Sequence, residues 1–249
     1  MGRKETKQEN MLLEESKALI GKNISFAAAE AYKLLRTNLN FSLATSSNCK
    51  VIGVTSSIKG EGKSTTSINL AYTMAQSGGR VLLIEADMRL PNIARRLNLR
   101  SKPGLSNYLA NQCSGNDIIQ HSNFLPNLWV ITAGDIPTNP SELLDSERMR
   151  DTLSALMEIF DNIIVDLPPV NIVTDAALVS KYVDGILLVV RQNYCNRRAL
   201  DEAVQQLSFA NAKILGFVMT GANTQKKSYS RYGNNSYYGD YRRTTASAK

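Results

Sequence analysis

Six short apolar runs recur along the chain: VIGVTS (51–56), RVLLIEAD (80–87), LWVITAG (128–134), NIIVD (162–166), GILLVV (185–190) and ILGFVMT (214–220). Each is strand-length and nearly unbroken, and an unbroken run needs both of its faces buried. Between the runs the spacing changes to the 3.6-residue period of amphipathic helices. Such stretches are STTSINLAYTMAQS after Gly62, GLSNYLA from Gly104, NPSELLDSERMRDTLSALMEIF from Asn139, VTDAALVSKYV from Val173 and NRRALDEAVQQLSFAN from Asn196. This alternation predicts an α/β domain with a mostly parallel central sheet flanked by helices. Its functional loops then lie at the carboxyl ends of the strands.

The organisation expected is a flexible segment over 1–24, a folded domain over 25–221 and a disordered tail over 222–249. A helix over 25–43 opens the domain on Ser25. No apolar run approaches the length of a membrane span, and the first residues lack the apolar core of an export signal. Cys49, Cys113 and Cys195 are widely spaced and form no metal-like cluster, so they are expected as buried thiols in a reducing compartment.

The first run leads into the sharpest local signal, GVTSSIKGEGKSTTSINLA from Gly53. A strand enters a tight loop, and GEGKST then opens a helix. Backbone N–H groups of the Gly60–Lys63 loop are suited to surround phosphate oxygens, and the helix N-terminus adds a favourable field. In such a loop Lys63 reaches the β and γ oxygens, and the Ser64 hydroxyl faces Mg²⁺. Gly60, Glu61, Gly62, Lys63, Ser64 and Thr65 are the candidate ATP-binding residues. The full pattern G-x-x-x-x-G-K-[ST] asks for glycine at position 57, where this chain has Ser57. The competing reading is a glycine-rich turn with a solvent lysine.

Two further strand ends point the same way. VLLIEADMRLP closes an apolar run with Glu85 and Asp87. Residues i and i+2 share one face of a strand, so both carboxylates can look into one site. IIVDLPP closes with Asp166, the arrangement that holds Mg²⁺ directly or through water. One strand-end acid alone reads as a cap for the next turn. Three of them beside the Lys63 loop point to Mg²⁺-nucleotide chemistry. Lys63, Glu85, Asp87 and Asp166 are the catalytic candidates, and Ser64, Asp87 and Asp166 the metal ligands.

Beyond Gly221 the periodicity stops. Of ten tyrosines, five (Tyr229, Tyr232, Tyr237, Tyr238 and Tyr241) fall in the last 21 positions, spaced by Gly, Asn and Ser. That spacing predicts a flexible segment able to reach a site. Lys226, Lys227, Arg231, Arg242, Arg243 and Lys249 stand there against Asp240, so most of the net charge of +7 lies in the tail. A tyrosine with a pKa of about 10 needs a nearby base to attack a phosphoryl group at pH 7. Each phosphate added brings about −1.5 to −2 charge, so several reverse the sign of the tail. The bland alternative is a sticky, low-complexity terminus. A Tyr/Arg/Gly mix also stacks on RNA bases, but there is no aromatic pair on a strand and no basic stripe elsewhere, so nucleic acid is not an expected partner.

Taken together, the loop, the acidic LLIEADMR, the third motif IIVD and the tyrosine tail resemble the bacterial tyrosine kinases of capsular and exopolysaccharide synthesis, within the MinD/ParA-like P-loop group. The resemblance runs from about Glu30 to the end. It implies autophosphorylation of the tail in trans, ATP and Mg²⁺ as cofactors, and a homo-oligomeric ring. It also implies a cognate tyrosine phosphatase and a separate membrane-spanning activator that holds the chain at the inner face of the membrane. Glu30, Lys33 and Arg36 correspond to the ring-packing motif of the family, and the segment around Asp175 is also similar.

Three departures stand out. Lys59 occupies the place of a proline and is not the signature lysine of the MinD/ParA ATPases, which would fall at Ile58. Lys33 replaces an arginine, keeping the charge but losing the planar fork. Glu85 replaces the aspartate expected to take the substrate proton, so either activity slows or that role passes to Asp87. The main alternative is a MinD/ParA-like ATPase switch that recruits partners through its dimer. A lesser one is a kinase-like scaffold weakened by Glu85. Of the remaining residues, His121 is expected at the surface, Trp129 in the core and RRALDE (197–202) on a solvated helix face.

Overall fold

Ser25 accepts a hydrogen bond from the Ala28 N–H at 3.2 Å and starts helix α1 (Phe26–Ser42). In this computed structural model residues 21–44 and 49–222 are described; the expectations for most of 1–24 and for the five tail tyrosines lie outside them. After α1 the chain follows β1 (Lys50–Ser56), α2 (Lys63–Ala75), β2 (Val81–Glu85), α3 (Ile93–Leu97), α4 (Leu105–Leu109), α5 (Gly115–Ile118), β3 (Ile119–His121) and β4 (Leu128–Ile131). It continues through α6 (Pro140–Leu144), α7 (Glu147–Met157), β5 (Asn162–Asp166), α8 (Asp175–Val179), β6 (Gly185–Arg191), α9 (Arg197–Phe209) and β7 (Ile214–Thr220).

The strands form one sheet in the order β3-β4-β2-β5-β1-β6-β7, parallel throughout except for the antiparallel edge pair β3–β4. Both faces of the inner strands are covered, as their unbroken runs required, but the edge strand β7 departs from that expectation and leaves Phe217 and Met219 exposed. Ile84, Ile163, Val165, Ile186 and Leu188 pack with Leu153 and Leu156 of α7 and Leu207 of α9. The alternate residues Ile52, Val54, Leu83, Ile164 and Leu187 pack with Leu39 of α1 and Ile68, Leu70 and Met74 of α2. The period of two along each strand thus sends every second side chain to the α2 face. Glu85 continues the Leu83 row and Asp166 the Ile164 row, which brings both acids to the side where α2 begins. Their register is direct: Glu85 pairs with Asp166 across β2 and β5.

Three sequence expectations need correction. The run from Asn139, expected to start with a Pro-Ser-Glu turn and continue as one helix, is two helices, because Ser146 breaks it and caps α7 by accepting from the Met149 N–H at 3.2 Å. The stretch before β4 holds a three-residue edge strand, β3, too short to show a period. Cys49 is buried, but Cys113 and Cys195 are only partly so, in the loops after α4 and before α9. His121 is exposed, as expected, and accepts from the Trp129 indole N–H at 3.1 Å; Trp129 is half-buried against Phe160. Arg197 and Arg198 lie in solvent.

Candidate active site

The loop between β1 and α2 is shaped by two glycines in the left-handed region, Gly60 at φ +90° and Gly62 at φ +93°. A side chain is strained in either place, and a Cβ on Gly60 would sit 2.8 Å from the Tyr194 hydroxyl. Glu61 between them is fully buried and turns inward. Its carboxylate accepts from the Ile58 N–H at 2.8 Å and the Arg191 N–H at 3.2 Å, while its carbonyl accepts from the Thr220 hydroxyl at 2.6 Å. Glu61 therefore ties the loop to β6 and β7 and keeps its charge off the phosphate side. Helix α2 starts with no side-chain cap, which leaves its first N–H groups directed at the loop's concave side.

Lys63, on the first turn of α2, reaches back across the loop. Its ammonium lies 2.7 Å from Asp87 Oδ2 and 3.7 Å from Asp166 Oδ2. Burial pulls the lysine pKa down, but Asp166 and Asp87 outweigh it and raise it above the ordinary value. Asp166 is fully buried. Its Oδ1 accepts from the Ser67 hydroxyl at 2.9 Å, whereas Oδ2 makes no hydrogen bond. Burial pushes its pKa up, opposed by Lys63, Ser64 and Ser67. Asp87 also accepts from the Leu90 N–H at 3.1 Å.

Glu85 is differently engaged. One carboxylate oxygen accepts from the Asn92 and Ile93 N–H groups at 2.5 and 2.6 Å, the other from the Ala133 N–H at 3.2 Å. The carboxylate is thus consumed by the start of α3 and the end of β4. Burial raises its pKa, and these three donors work against the rise. Arg89, at the end of the second motif, grips Asp175 through two bonds of 2.9 and 3.1 Å and Ser141 at 2.8 Å.

Ser64 lies 3.4 Å from the Lys63 ammonium and accepts from the Asn92 amide at 3.2 Å. The Thr65 hydroxyl accepts from the Arg96 guanidinium at 2.9 Å. Gly60, Gly62, Lys63, Ser64, Thr65 and Asp87 line one cavity of about 230 Å³. A larger cavity of about 310 Å³, among Arg36, Lys50 and Asp161, lies at the amino ends of the strands and touches none of these residues. On α1, Lys33 pairs with Glu30 at 2.7 Å, and Arg36 donates to the Thr73 carbonyl of α2 at 2.7 Å.

Among the described residues no group of three His, Cys, Asp or Glu side chains could hold a metal unaided. A hydroxyl, the open Oδ2 of Asp166 and phosphate oxygens suit Mg²⁺, which keeps waters and takes few protein ligands. Sequence reasoning missed Asn92, Arg96, Arg191, Tyr194 and Thr220. Each reaches the loop from a distant segment, and no local motif announces it.

A family model described as an AAA domain matches residues 49–214. Tyrosine-protein kinase CpsD of Streptococcus agalactiae is 36% identical over 206 residues, covering 82% of this chain and 88% of that protein. The chain belongs to the bacterial tyrosine-protein kinase family. Among solved structures, the kinase domain of the Escherichia coli tyrosine kinase ETK superposes with a TM-score of 0.79 at 34% identity, over 88% of this chain and 84% of that one. MinD of Pyrococcus horikoshii OT3, complexed with Mg-ADP, shares the fold with a TM-score of 0.58 at 22% identity, over 69% and 70% of the two chains. Among the described residues no helix is long and apolar enough to cross a membrane.

Proposed function

We propose that this chain is an ATP-dependent protein-tyrosine kinase that phosphorylates the tyrosine cluster of a neighbouring copy, in the control of capsular or exopolysaccharide synthesis. The observation that carries the reading is the convergence of Lys63, Asp87 and Asp166 at the start of α2. It occurs in a tyrosine-kinase relative whose tail holds Tyr229, Tyr232, Tyr237, Tyr238 and Tyr241.

The loop N–H groups and the α2 N-terminus receive the phosphates, and Lys63 steadies charge on the γ-phosphoryl oxygens. Ser64 and Asp166 would hold Mg²⁺, with Asp87 beside them; the metal, when bound, neutralises charge on the β and γ oxygens. A tail tyrosine oxygen forms a bond to the γ phosphorus as the bond to the β–γ bridging oxygen breaks, leaving ADP. Asp87 receives the phenolic proton. Its pairing with Lys63 is what a bound phosphate competes for, and that competition frees the carboxylate. Glu85 has no free oxygen for the task, so it holds α3 and β4 in place beneath the site.

The tail begins immediately past β7, whose Thr220 lies against the Glu61 loop, and transfer to a neighbour's tail is what the family resemblance implies. A ring of copies satisfies this, with α1 as the contact. Lys33 lies exposed on α1, as do Leu34 and Phe41, with Glu30 partly exposed beside it, whereas Arg36 is held by α2. A separate membrane-spanning activator would then place the ring at the cytoplasmic face of the membrane, and a tyrosine phosphatase would reset the tail. The ATPase-switch reading is weaker, because Ile58 stands where that group carries its signature lysine.

The test is intact mass and fragmentation of full-length protein after incubation with Mg-ATP, beside a Lys63→Met control, with and without the cytoplasmic end of a membrane activator. Up to five phosphates within Tyr229–Tyr241, absent in the control, are expected. ATP turnover with a bare tail would instead make the chain a switch ATPase.

A further inference from the structure

Helix α3 contributes a cation that neither the nucleotide motifs nor the acids announce. Arg96 is partly buried and lines the same 230 Å³ cavity as Lys63, Ser64 and Thr65. Its guanidinium donates to the Thr65 hydroxyl at 2.9 Å. Among the described residues no carboxylate lies within 4.0 Å of it, in contrast to Lys63, which has Asp87, and Arg89, which has Asp175. Burial pulls its pKa below the usual arginine value, with Asp166 and Glu85 acting on it only from farther off. Guanidinium offers five donors, and among the described residues one hydrogen bond, to Thr65, uses them. A cation partly withdrawn from water without a counter-ion costs free energy that a bound anion recovers.

We propose that Arg96 is a nucleotide-positioning residue that binds the α/β-phosphoryl side of ADP and ATP from across the loop. The side is set by Thr65, which accepts from Arg96 and lies one residue beyond Ser64, the proposed metal-facing hydroxyl. In loops of this kind backbone groups hold the α and β phosphates while the lysine reaches β and γ. Planar guanidinium is suited to two parallel bonds with phosphate oxygens. Glu85 supports the arrangement: by accepting from the Asn92 and Ile93 N–H groups it anchors the short helix that carries Arg96. The longer arm of glutamate at this position thus has a use that the proton-transfer role does not require.

The proposal rests on the nucleotide sitting on the Gly60–Ser64 loop, and the test separates the two. Mg-ADP and Mg-ATP are titrated into full-length wild type, Arg96→Ala and Arg96→Lys by calorimetry, and each protein is melted with and without Mg-ADP. If wild type binds neither nucleotide, the loop reading itself fails. If it binds, Arg96→Ala is expected to weaken ADP and ATP alike by about tenfold, with Arg96→Lys between. The melting temperature without nucleotide should hold or rise, since an unpaired charge has gone, while the increase given by Mg-ADP shrinks. Unchanged affinity overturns the proposal, as does a loss confined to ATP, which would put Arg96 on the γ phosphate. A fall in the nucleotide-free melting temperature with the Mg-ADP increase intact would make Arg96 a strut between α3 and α2.

Discussion

The Lys63 ammonium and the Asp87 carboxylate neutralise each other at 2.7 Å, each the nearest charge to the other in the phosphate site. The pair gives the free protein a resting state in which the phosphate-binding cation and the proposed proton acceptor are both occupied. Asp87→Asn removes the acceptor without removing the lysine. Tail phosphorylation is expected to fall by about 10²–10⁴-fold, in the range of general-base losses. Mg-ADP affinity, read by titration, should change far less than the rate, because the freed Lys63 offsets the loss of Asp87 beside the metal. Glu85→Gln is the companion variant: its amide oxygen can still accept from the Asn92 and Ile93 N–H groups while the Ala133 N–H loses its acceptor, so the rate should fall by about tenfold or less, far less than for Asp87→Asn. A rate loss at Glu85→Gln equal to that at Asp87→Asn returns the proton-acceptor role to Glu85.

Arg89 ties the loop after β2 to Asp175 at the start of α8, 86 positions away. Asp175 is wholly buried, while Arg89 keeps about a third of its side chain in solvent. Arg89→Ala leaves the carboxylate without its cation, and Ser141 remains as a donor at 2.6 Å. Loss of a fully buried pair costs about 3–5 kcal/mol; solvent at Arg89 reduces the expectation to about 2 kcal/mol. Urea unfolding of Arg89→Ala and Arg89→Lys checks this. The lysine variant should recover less than half, since one ammonium cannot replace two parallel bonds.

Cys49 gives stability a measurable alkaline dependence. Burial, with Asp184 and Asp161 adding to it, pushes the thiol from its ordinary value near 9 up to about 12. The unfolded chain loses this proton first, so the folded state binds more protons and its stability falls as pH rises through that window. Below pH 9 the contribution is constant. Above it the loss approaches about 1.4 kcal/mol per pH unit until the folded value is reached. Cys49→Ala should flatten the decline in unfolding free energy between pH 8.5 and 10.5 relative to wild type. An unchanged slope would assign it to other groups, such as Tyr32, whose hydroxyl burial also pushes up.

Helix α1 exposes Leu34 and Phe41, 62% and 78% accessible, along the side that carries Glu30 and Lys33. Seven positions apart, the two apolar side chains lie on one stripe. If α1 is the contact of the proposed ring, Leu34→Asp is expected to dissociate it and lower tail phosphorylation at micromolar protein, while leaving Mg-ADP binding unchanged because the substitution lies outside the cavity. Light scattering after gel filtration reads the first effect and intact mass the second. An assembly that survives Leu34→Asp and Phe41→Asp together moves the contact elsewhere.

Legible in the chain from the outset were the six strands that carry the sheet, the phosphate loop and the acids at the ends of β2 and β5. Those features are local. An unbroken apolar run announces a strand buried on both faces, and GEGKST announces its loop whatever surrounds it. The identity of Lys63, Asp87 and Asp166 as neighbours followed from strand parity and parallel order. The edge strand β3 and the break at Ser146 were hidden because three residues show no period and one serine can sit within a helix or cap one.

What only the tertiary structure decided is which way each charged group turns. Glu85 and Asp87 read as equivalent strand-end acids, yet one is used up by three N–H groups from α3 and β4 while the other faces Lys63. Glu61, within the phosphate-binding motif, points away from the phosphate side to hold β6 and β7. Arg96, in an unremarkable IARRL, reaches Thr65 across 31 positions. Secondary structure is set by short-range periodicity, but the partner of a buried charge is set by whatever donors and carboxylates the packed segments bring within a few ångströms, and no local pattern encodes that.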